Sequence, residues 1–296
     1  MGAVNTMINK MTLPSPAKLN LFLHINGRLP NGYHELQSLF HFVDHGDSLT
    51  FRLLNETSIS LQCNIKELEG DDNLIIKAAK ALQALLPDGK RQLGVHIELD
   101  KKLPMGGGVG GGSSNAATTL LALNVLWQLN LTEQQLIEIG NRLGADVPIF
   151  ILGRSAIAEG TGDKFYPYPI EEKWYLVLTP TAHVNTALLF GSEALPRDTK
   201  KLDNNEIKYT GLTAEFRNDF QTLVYNEYPA VAKALDWLLE YAPARLTGTG
   251  ACVFAEFNTE QQAQQIYELL PTELSGFVAK GSNVSACHRV LSELIG

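Results

Sequence analysis

Three groups of residues in this 296-residue chain combine types and spacings suited to chemistry. The first is Pro104-Met105-Gly106-Gly107-Gly108-Val109-Gly110-Gly111-Gly112-Ser113-Ser114, where six glycines fall within seven residues. Glycines in such number lose conformational entropy on folding and pack nothing, so something must approach this backbone closely. The run opens directly into a helix, whose free N–H groups and positive dipole end suit an anion such as phosphate. The second group is Lys18 with Asn20, two residues apart and therefore on one face of a strand. The third is Asp146, set between Gly144-Ala145 and Val147-Pro148. Taken singly, Lys18 reads equally as a solvated strand lysine, and Asp146 as an Asx-type turn residue.

Neither familiar phosphate motif fits the glycine run. Gly106, Gly108 and Gly111 satisfy GxGxxG, but Asp100, Lys101 and Lys102 separate them from the preceding strand, and the next acid, Glu133, starts a helix instead of ending a strand. Gly107 to Ser114 has Walker A spacing with Ser113 where the lysine belongs. A Rossmann oxidoreductase and a non-catalytic nucleotide binder stand as alternatives, the latter with no use for Lys18 and Asp146 together. His41 and His45, with Asp44 between them, find no third metal ligand nearby in a strand-like pattern, and His34-Glu35 lacks the second His of HExxH. The tryptophans, Trp127, Trp174 and Trp237, sit in apolar settings and read as core.

The elements that position these groups follow from periodicity. Ala17 to Ile25 alternates, with Leu19, Leu21, Leu23 and Ile25 on one face and Lys18, Asn20, Phe22 and His24 on the other, as in a half-buried strand. Asn26 to Gly32 is a turn or loop delivering Tyr33 and His34. Separate strands are expected at Leu36–Val43, Ser48–Leu53, Ser58–Cys63 and around Val95–Leu99. Asp71 to Asn73 offers a cap for a helix to about Leu86, and Thr132 with Gln135 a capping box for another that ends near Gly144. Between them, Asn115–Leu129 is apolar nearly all round and should be buried. Val147 to Leu152 is a short apolar stretch before a strand at Ala156–Glu159. Gly160 to Glu172, rich in Gly, Pro and charge, reads as the boundary between domains 11–165 and 166–296. The second half carries a strand at Lys173–Thr179, a short helix at Thr186–Phe190, an exposed loop at Arg197–Thr213 and helix from Phe216 to Tyr241. A strand at Cys252–Phe257, a helix to Leu270 and a strand near Phe277–Lys280 complete an α+β pattern.

Composition bounds the function. With 45% hydrophobic and 19% charged residues the chain is an ordinary globular one, of a length that suggests two domains. Its 24 Lys and Arg against 32 Asp and Glu, net −8, argue against a nucleic-acid or anionic-membrane surface but not against a local phosphate site. Cys63, Cys252 and Cys287 form no CxxC pair, which suits a reducing cytoplasm, with Cys252 expected as packing. No apolar run is long enough to span a bilayer, and the first eleven residues read as an expression remnant or start-site ambiguity with no signal-peptide core.

Pro16-Ala17-Lys18-Leu19-Asn20-Leu21, the central glycine run with Ser113 and Ser114, and Gly248-Thr249-Gly250 together resemble, in order and spacing, the three motifs of the galactokinase, homoserine, mevalonate and phosphomevalonate kinase (GHMP) superfamily. Asn31-Gly32-Tyr33-His34, Gly144-Ala145-Asp146-Val147-Pro148 and Leu246-Thr247-Gly248-Thr249-Gly250-Ala251 are similar to its branch that acts on a cytidyl diphosphate methylerythritol, a small-molecule substrate. The resemblance implies an N-terminal nucleotide-binding α/β domain, a ferredoxin-like α+β C-terminal domain, and a cleft site between them using ATP and Mg²⁺, with the metal ligands left open. It implies Lys18 and Asp146 as the catalytic pair. Pro104, Met105, Gly106, Gly107, Gly108, Val109, Gly110, Gly111, Gly112, Ser113 and Ser114 would cradle ATP phosphates, with Asn73 and Lys101 near the adenosine. Asn20, Thr186, Gly248 and Thr249 would serve the substrate, Tyr33 and Phe190 would sandwich its cytosine, and His34 would read the base's polar edge. A relative acting on another small alcohol is the alternative within the superfamily.

Overall fold

The computed structural model describes residues 9–90 and 93–295; the N-terminal remnant inferred above falls largely on residues outside them. Its first half is organised by one long strand. β1 (Lys10–Arg28) and β2 (His34–Leu54) pair antiparallel over their whole length, from Lys10 opposite Arg52 to Arg28 opposite His34. The other edge of β2 serves three partners in turn: β5 (Ala156–Glu159) at Ser38 to Phe40, β10 (Gly276–Ser282) at Phe42 and Val43, and β4 (Gly94–Asp100) at Ser48 to Leu54. Beyond them, β3 (Ile59–Cys63) pairs parallel with β4, and β6 (Lys164–Pro167) antiparallel with β5.

Helices α1 (Leu74–Gln83), α2 (Gly111–Leu126), α3 (Glu133–Leu143) and α4 (Val147–Leu152) cover this sheet. Their Ile75, Leu82, Leu120, Leu123 and Phe150 share one core with Phe42, Phe51 and Ile97 of the strands. Asn73 caps α1 through Ile75 N–H, and the Thr132–Gln135 capping box opens α3, both as expected from local sequence.

The second half runs β7 (Trp174–Leu178), α5 (Thr186–Gly191), α6 (Gln221–Glu227), α7 (Pro229–Leu239), β8 (Ala244–Leu246), β9 (Val253–Phe257), α8 (Glu260–Tyr267) and β10. These strands lie in the antiparallel order β10-β7-β9-β8, the ferredoxin-like arrangement. A final helix, α9 (Ala286–Ile295), returns to the first half, where Cys287 and Leu291 join its core.

Several expectations are corrected. β1 is buried on both faces, because register shifts between Pro16 and Lys18 and between Asn20 and Phe22 re-aim its side chains. Leu19 and Leu21 therefore pack into a central core with Tyr175, Cys252 and Phe254, while Leu23 and Ile25 pack with Leu178, Val224 and Leu246. The strands expected at 36–43 and 48–53 are one strand, since β1 supplies ladder partners through Pro16 opposite Gly46 and Ser15 opposite Asp47. The helix expected over 216–241 breaks at Tyr228, which Pro229 keeps out of the helical region at φ −125° and ψ 89°. The 197–213 loop is docked: Thr199 donates to Asp219 at 2.7 Å, Leu202 N–H donates to Gln37 at 2.9 Å, and Ile207 is buried. Residues 147–152 are helical, and β6, β8 and α9 carried too short or too mixed a pattern to be read.

His41, fully buried on β2, shares a hydrogen bond with Ser155 Oγ at 2.8 Å, and burial lowers its pKa from 6.5 to about 3. The unfolded chain therefore takes up this proton first on acidification. Stability contributed by the neutral ring is complete above about pH 6.5 and is lost towards pH 3, by at most about 1.4 kcal/mol per unit. His41→Gln, which cannot titrate, should show a shallower loss of urea midpoint between pH 7 and 4 than the parent chain. Parallel slopes would remove His41 as the source.

Candidate active site

Two of the three register shifts in β1 flank Lys18 and Asn20, which face the glycine loop between β4 and α2. The Lys18 ammonium is buried. It donates to Asn20 Oδ1 at 2.5 Å and to Gly108 O at 2.9 Å, and lies 3.4 Å from Asp146 Oδ2 and 5.2 Å from the centre of the Phe40 ring. Lys18 N–H also holds Val109 O at 3.0 Å. Asn20 is fixed in turn: its amide donates to Ser38 Oγ at 2.8 Å, and its backbone N–H to Thr247 Oγ1 at 2.9 Å. Asp146 precedes α4, where its side chain makes no cap hydrogen bond and stays 40% exposed. The Asx-turn alternative is therefore not realised, and neither is the solvated-lysine reading of Lys18.

The glycine loop is shaped by backbone that only glycine adopts without strain. Gly106, Gly108 and Gly110 have φ of 67°, 74° and 76°. Its companion is the turn between β8 and β9, where Gly248 and Gly250 have φ of 58° and 92°. Cys252 N–H donates to Gly107 O at 3.0 Å, and Asn218 Nδ2 holds both Leu246 O and Gly248 O at 2.8 Å. A side chain at Gly108 would meet Thr247 O and Gly250 O, so the two turns touch backbone to backbone. Burial pushes the Cys252 thiol up to about 12, as suits packing rather than reactivity.

The first helical bond of α2 runs from Ser114 N–H to Gly110 O at 2.8 Å, leaving the N–H groups of Gly111, Gly112 and Ser113 outside the helical ladder. They border a cavity of about 380 Å³ whose wall also includes Asn73, Lys101, Asp146, Thr186 and Thr249. Phosphate oxygens suit that end of the cavity. Two members of the predicted cradle turn away from it: Val109 is buried in the central core, and the Ser114 hydroxyl donates to Pro16 O at 2.7 Å. Lys101 is held from behind by the buried Asp47 at 2.8 Å and by Leu103 O at 2.7 Å, so it stiffens the approach to the loop. Asn73 uses both ends of its amide, accepting from Ile75 N–H and donating to Leu68 O. Thr186 and Thr249 share a 2.8 Å hydrogen bond between their hydroxyls across the cavity mouth.

Of the residues assigned to the base, His34 and Phe190 form a second cluster, and Tyr33 stands apart from it. His34 stands 5.0 Å from Phe190, which packs edge-on to Phe220 at 4.9 Å. Tyr33 projects from the turn closed by Leu29 and is 66% exposed. Burial, then the charges of Arg197 and Arg28, lower the His34 pKa. Arg197, Ser38 and Asn218 belong to these constellations with no site role read from the sequence, and Thr247 joins them from within the Leu246-to-Ala251 motif. Only Thr247 carried a usable signal, its place beside Gly248-Thr249-Gly250.

Residues 73–154 match the model for the GHMP kinases N terminal domain, and residues 204–275 that for GHMP kinases C terminal. A 4-diphosphocytidyl-2-C-methyl-D-erythritol kinase of Shewanella woodyi is 53% identical over 97% of this chain and 100% of its own. One of Haemophilus influenzae is 52% identical over 96% and 89%. A solved 4-(cytidine 5'-diphospho)-2C-methyl-D-erythritol kinase superposes with a TM-score of 0.76 at 26% identity, covering 92% of this chain and 99% of that one. The homoserine kinase of Cytophaga hutchinsonii, at 15% identity and TM-score 0.65 over 96% and 98%, shares the fold.

The two kinds of glycine in the loop should respond oppositely to alanine. Gly108→Ala should lower the melting temperature, its backbone alone costing roughly 1–2 kcal/mol before the clash with Thr247 O. Gly112→Ala, inside α2 with only Leu74 Cδ1 at 3.9 Å, should hold or raise it, by about 0.5–1 kcal/mol. Equal melting temperatures for the two variants would contradict the packing of the loop on Thr247.

Proposed function

The chain belongs to the GHMP kinases, in the family of the 4-diphosphocytidyl-2-C-methyl-D-erythritol kinases, and on that premise we propose which of its residues carry the reaction. It is a small-molecule kinase of the non-mevalonate isoprenoid pathway. It transfers a phosphoryl group from ATP to the 2-hydroxyl of 4-diphosphocytidyl-2-C-methyl-D-erythritol, giving the 2-phosphate and ADP.

Lys18 and Asp146 form the catalytic pair. The observation that carries this reading is the 3.4 Å approach of the buried Lys18 ammonium to Asp146, which lines the glycine-loop cavity. Asp146 accepts a hydrogen bond from the 2-hydroxyl and orients it in line with the γ-phosphorus. The oxygen–phosphorus bond forms as the bond to the β,γ-bridging oxygen breaks, and the proton passes late to Asp146. A loose phosphoryl transition state needs little early deprotonation, so positioning and charge stabilisation carry most of the rate. Lys18 stabilises negative charge on the attacking oxygen or the transferring group, and Asn20 fixes the ammonium's direction. The N–H groups at the start of α2 hold the phosphates, so no basic surface is needed and the net charge of −8 is no obstacle.

Mg²⁺ belongs to the same proposal. The cavity presents the Ser113 hydroxyl and the Asp146 carboxylate, oxygen ligands of the kind this ion combines with phosphates and water. Ser113 would hold it, since Ser114 is committed to Pro16 O; bound there, it neutralises phosphate charge. Asn73 and Lys101 border the adenosine end, Thr186, Gly248 and Thr249 guide the substrate, and Tyr33, Phe190 and His34 hold the cytosine. The division between 11–165 and 166–296 separates the two walls of the cleft, with α9 returning to the first. Cys63, Cys252 and Cys287, all buried free thiols, support a cytoplasmic site of action.

Asp146→Asn should keep ATP binding and the melting temperature while kcat falls by roughly 10²–10⁴, the usual weight of a general base. Near-normal turnover would end the assignment. In an ADP-coupled assay the cytidyl substrate should be strongly preferred to mevalonate and homoserine, an absence of preference pointing to another small alcohol. A rate that survives chelation of Mg²⁺ would take the ion out of the mechanism.

A further inference from the structure

Arg197, half-buried in the turn after α5, sits between the two sides of the base cluster. Its Nη2 donates to Phe190 O at 3.0 Å and to Ser192 O at 2.6 Å, and its Nη1 to Leu195 O at 3.2 Å. These bonds satisfy carbonyls at and beyond the end of α5, the task that arginine often performs at a helix C-terminus. The fourth bond has a different character. Arg197 Nε donates to Nε2 of His34, 163 residues away in the chain, at 3.0 Å.

A guanidinium nitrogen can only donate, so the His34 nitrogen facing it must carry the lone pair. The neutral imidazole then has its proton on Nδ1. A doubly protonated ring would set N–H against N–H, and the burial of His34 with the nearby charges of Arg197 and Arg28 disfavours that form as well. The polar group left to His34 is a donor alone. Against a pyrimidine beside Phe190, a donor suits N3 of cytosine, an acceptor, and conflicts with N3 of uracil, which bears hydrogen. The alternative tautomer, with a bare Nδ1, would reverse that preference at N3.

We propose that Arg197 is the positioning residue of base recognition: donating to His34 Nε2 while holding the Phe190 carbonyl, it commits His34 to its Nδ1–H form and so selects cytosine over uracil. The inference rests on the reading that His34 and Phe190 hold the base. It assigns Arg197 no contact with the reacting atoms. Loss of its side chain should therefore alter KM and base preference and leave the chemical step intact.

Two measurements on the full-length enzyme decide it. In the first, ¹⁵N-labelled histidine and long-range ¹H–¹⁵N correlation read the His34 tautomer, expected as Nδ1–H in the parent chain and moving towards Nε2–H in Arg197→Met. In the second, steady-state kinetics compare the cytidyl substrate with its uridyl counterpart. Arg197→Met should raise KM for the cytidyl substrate about tenfold, the order of one lost buried hydrogen bond, with kcat and KM for ATP held. The cytidyl-to-uridyl preference should narrow by a similar factor, and Arg197→Lys, which keeps one donor, should recover part of it. An Nε2–H tautomer in the parent chain would overturn the role of Arg197, as would a loss in Arg197→Met that is equal for both bases. His34→Asn with unchanged KM would instead sink the base-site reading, and the selectivity claim with it.

Discussion

The Lys18 ammonium is the contact on which the site depends. It is buried, and a buried ammonium must place its protons on acceptors or lose its charge. Its acceptors come from three elements: Asn20 on the same strand, the carbonyl of Gly108 in the glycine loop, and Asp146 at the start of α4. Satisfying one cation thus sets the distance between the strand, the glycine loop and the carboxylate. The same ammonium therefore ties the glycine loop to the carboxylate of Asp146.

That constraint explains why the glycine loop is held and not loose. Lys18 pins Gly108 and Val109 from one side, while Thr247, Gly250 and Cys252 meet Gly107 and Gly108 from the other. Glycine supplies the left-handed backbone and the close approach, and tertiary contacts remove the freedom that glycine would otherwise keep. Since Gly248 and Thr249 belong to the ferredoxin-like part, the loop is also where the two halves of the chain meet. β10 joins them again as the strand shared by β2 and β7.

Much of this was legible in the sequence, and unevenly so. The caps at Asn73 and Thr132 were readable because a cap is made by residues two or three apart. The glycine run with Lys18, Asp146 and Gly248-Thr249-Gly250 was readable as residue types in order, enough to identify the superfamily. The alternation in β1 suggests one buried face, but bulges that no local pattern announces divide it between two cores. Pro229 broke a helix whose apolar periodicity ran straight through it. Arg197 opens a stretch whose polarity suggests a solvent-exposed loop, since nothing beside it in the chain hints at the ring it meets.

The sequence by itself determined the local chemistry: which turns can take positive φ, where helices begin, and which side chains could hold phosphate or move a proton. Tertiary structure decided what those groups are to one another. Lys18 meets its carbonyl 90 residues away, Asn20 its threonine 227 away, and His34 its guanidinium 163 away. Burial of an ammonium and the tautomer of an imidazole are set by desolvation and by the partner across a hydrogen bond. Both are fixed only when distant segments close on each other, so neither is written in any short stretch of the chain.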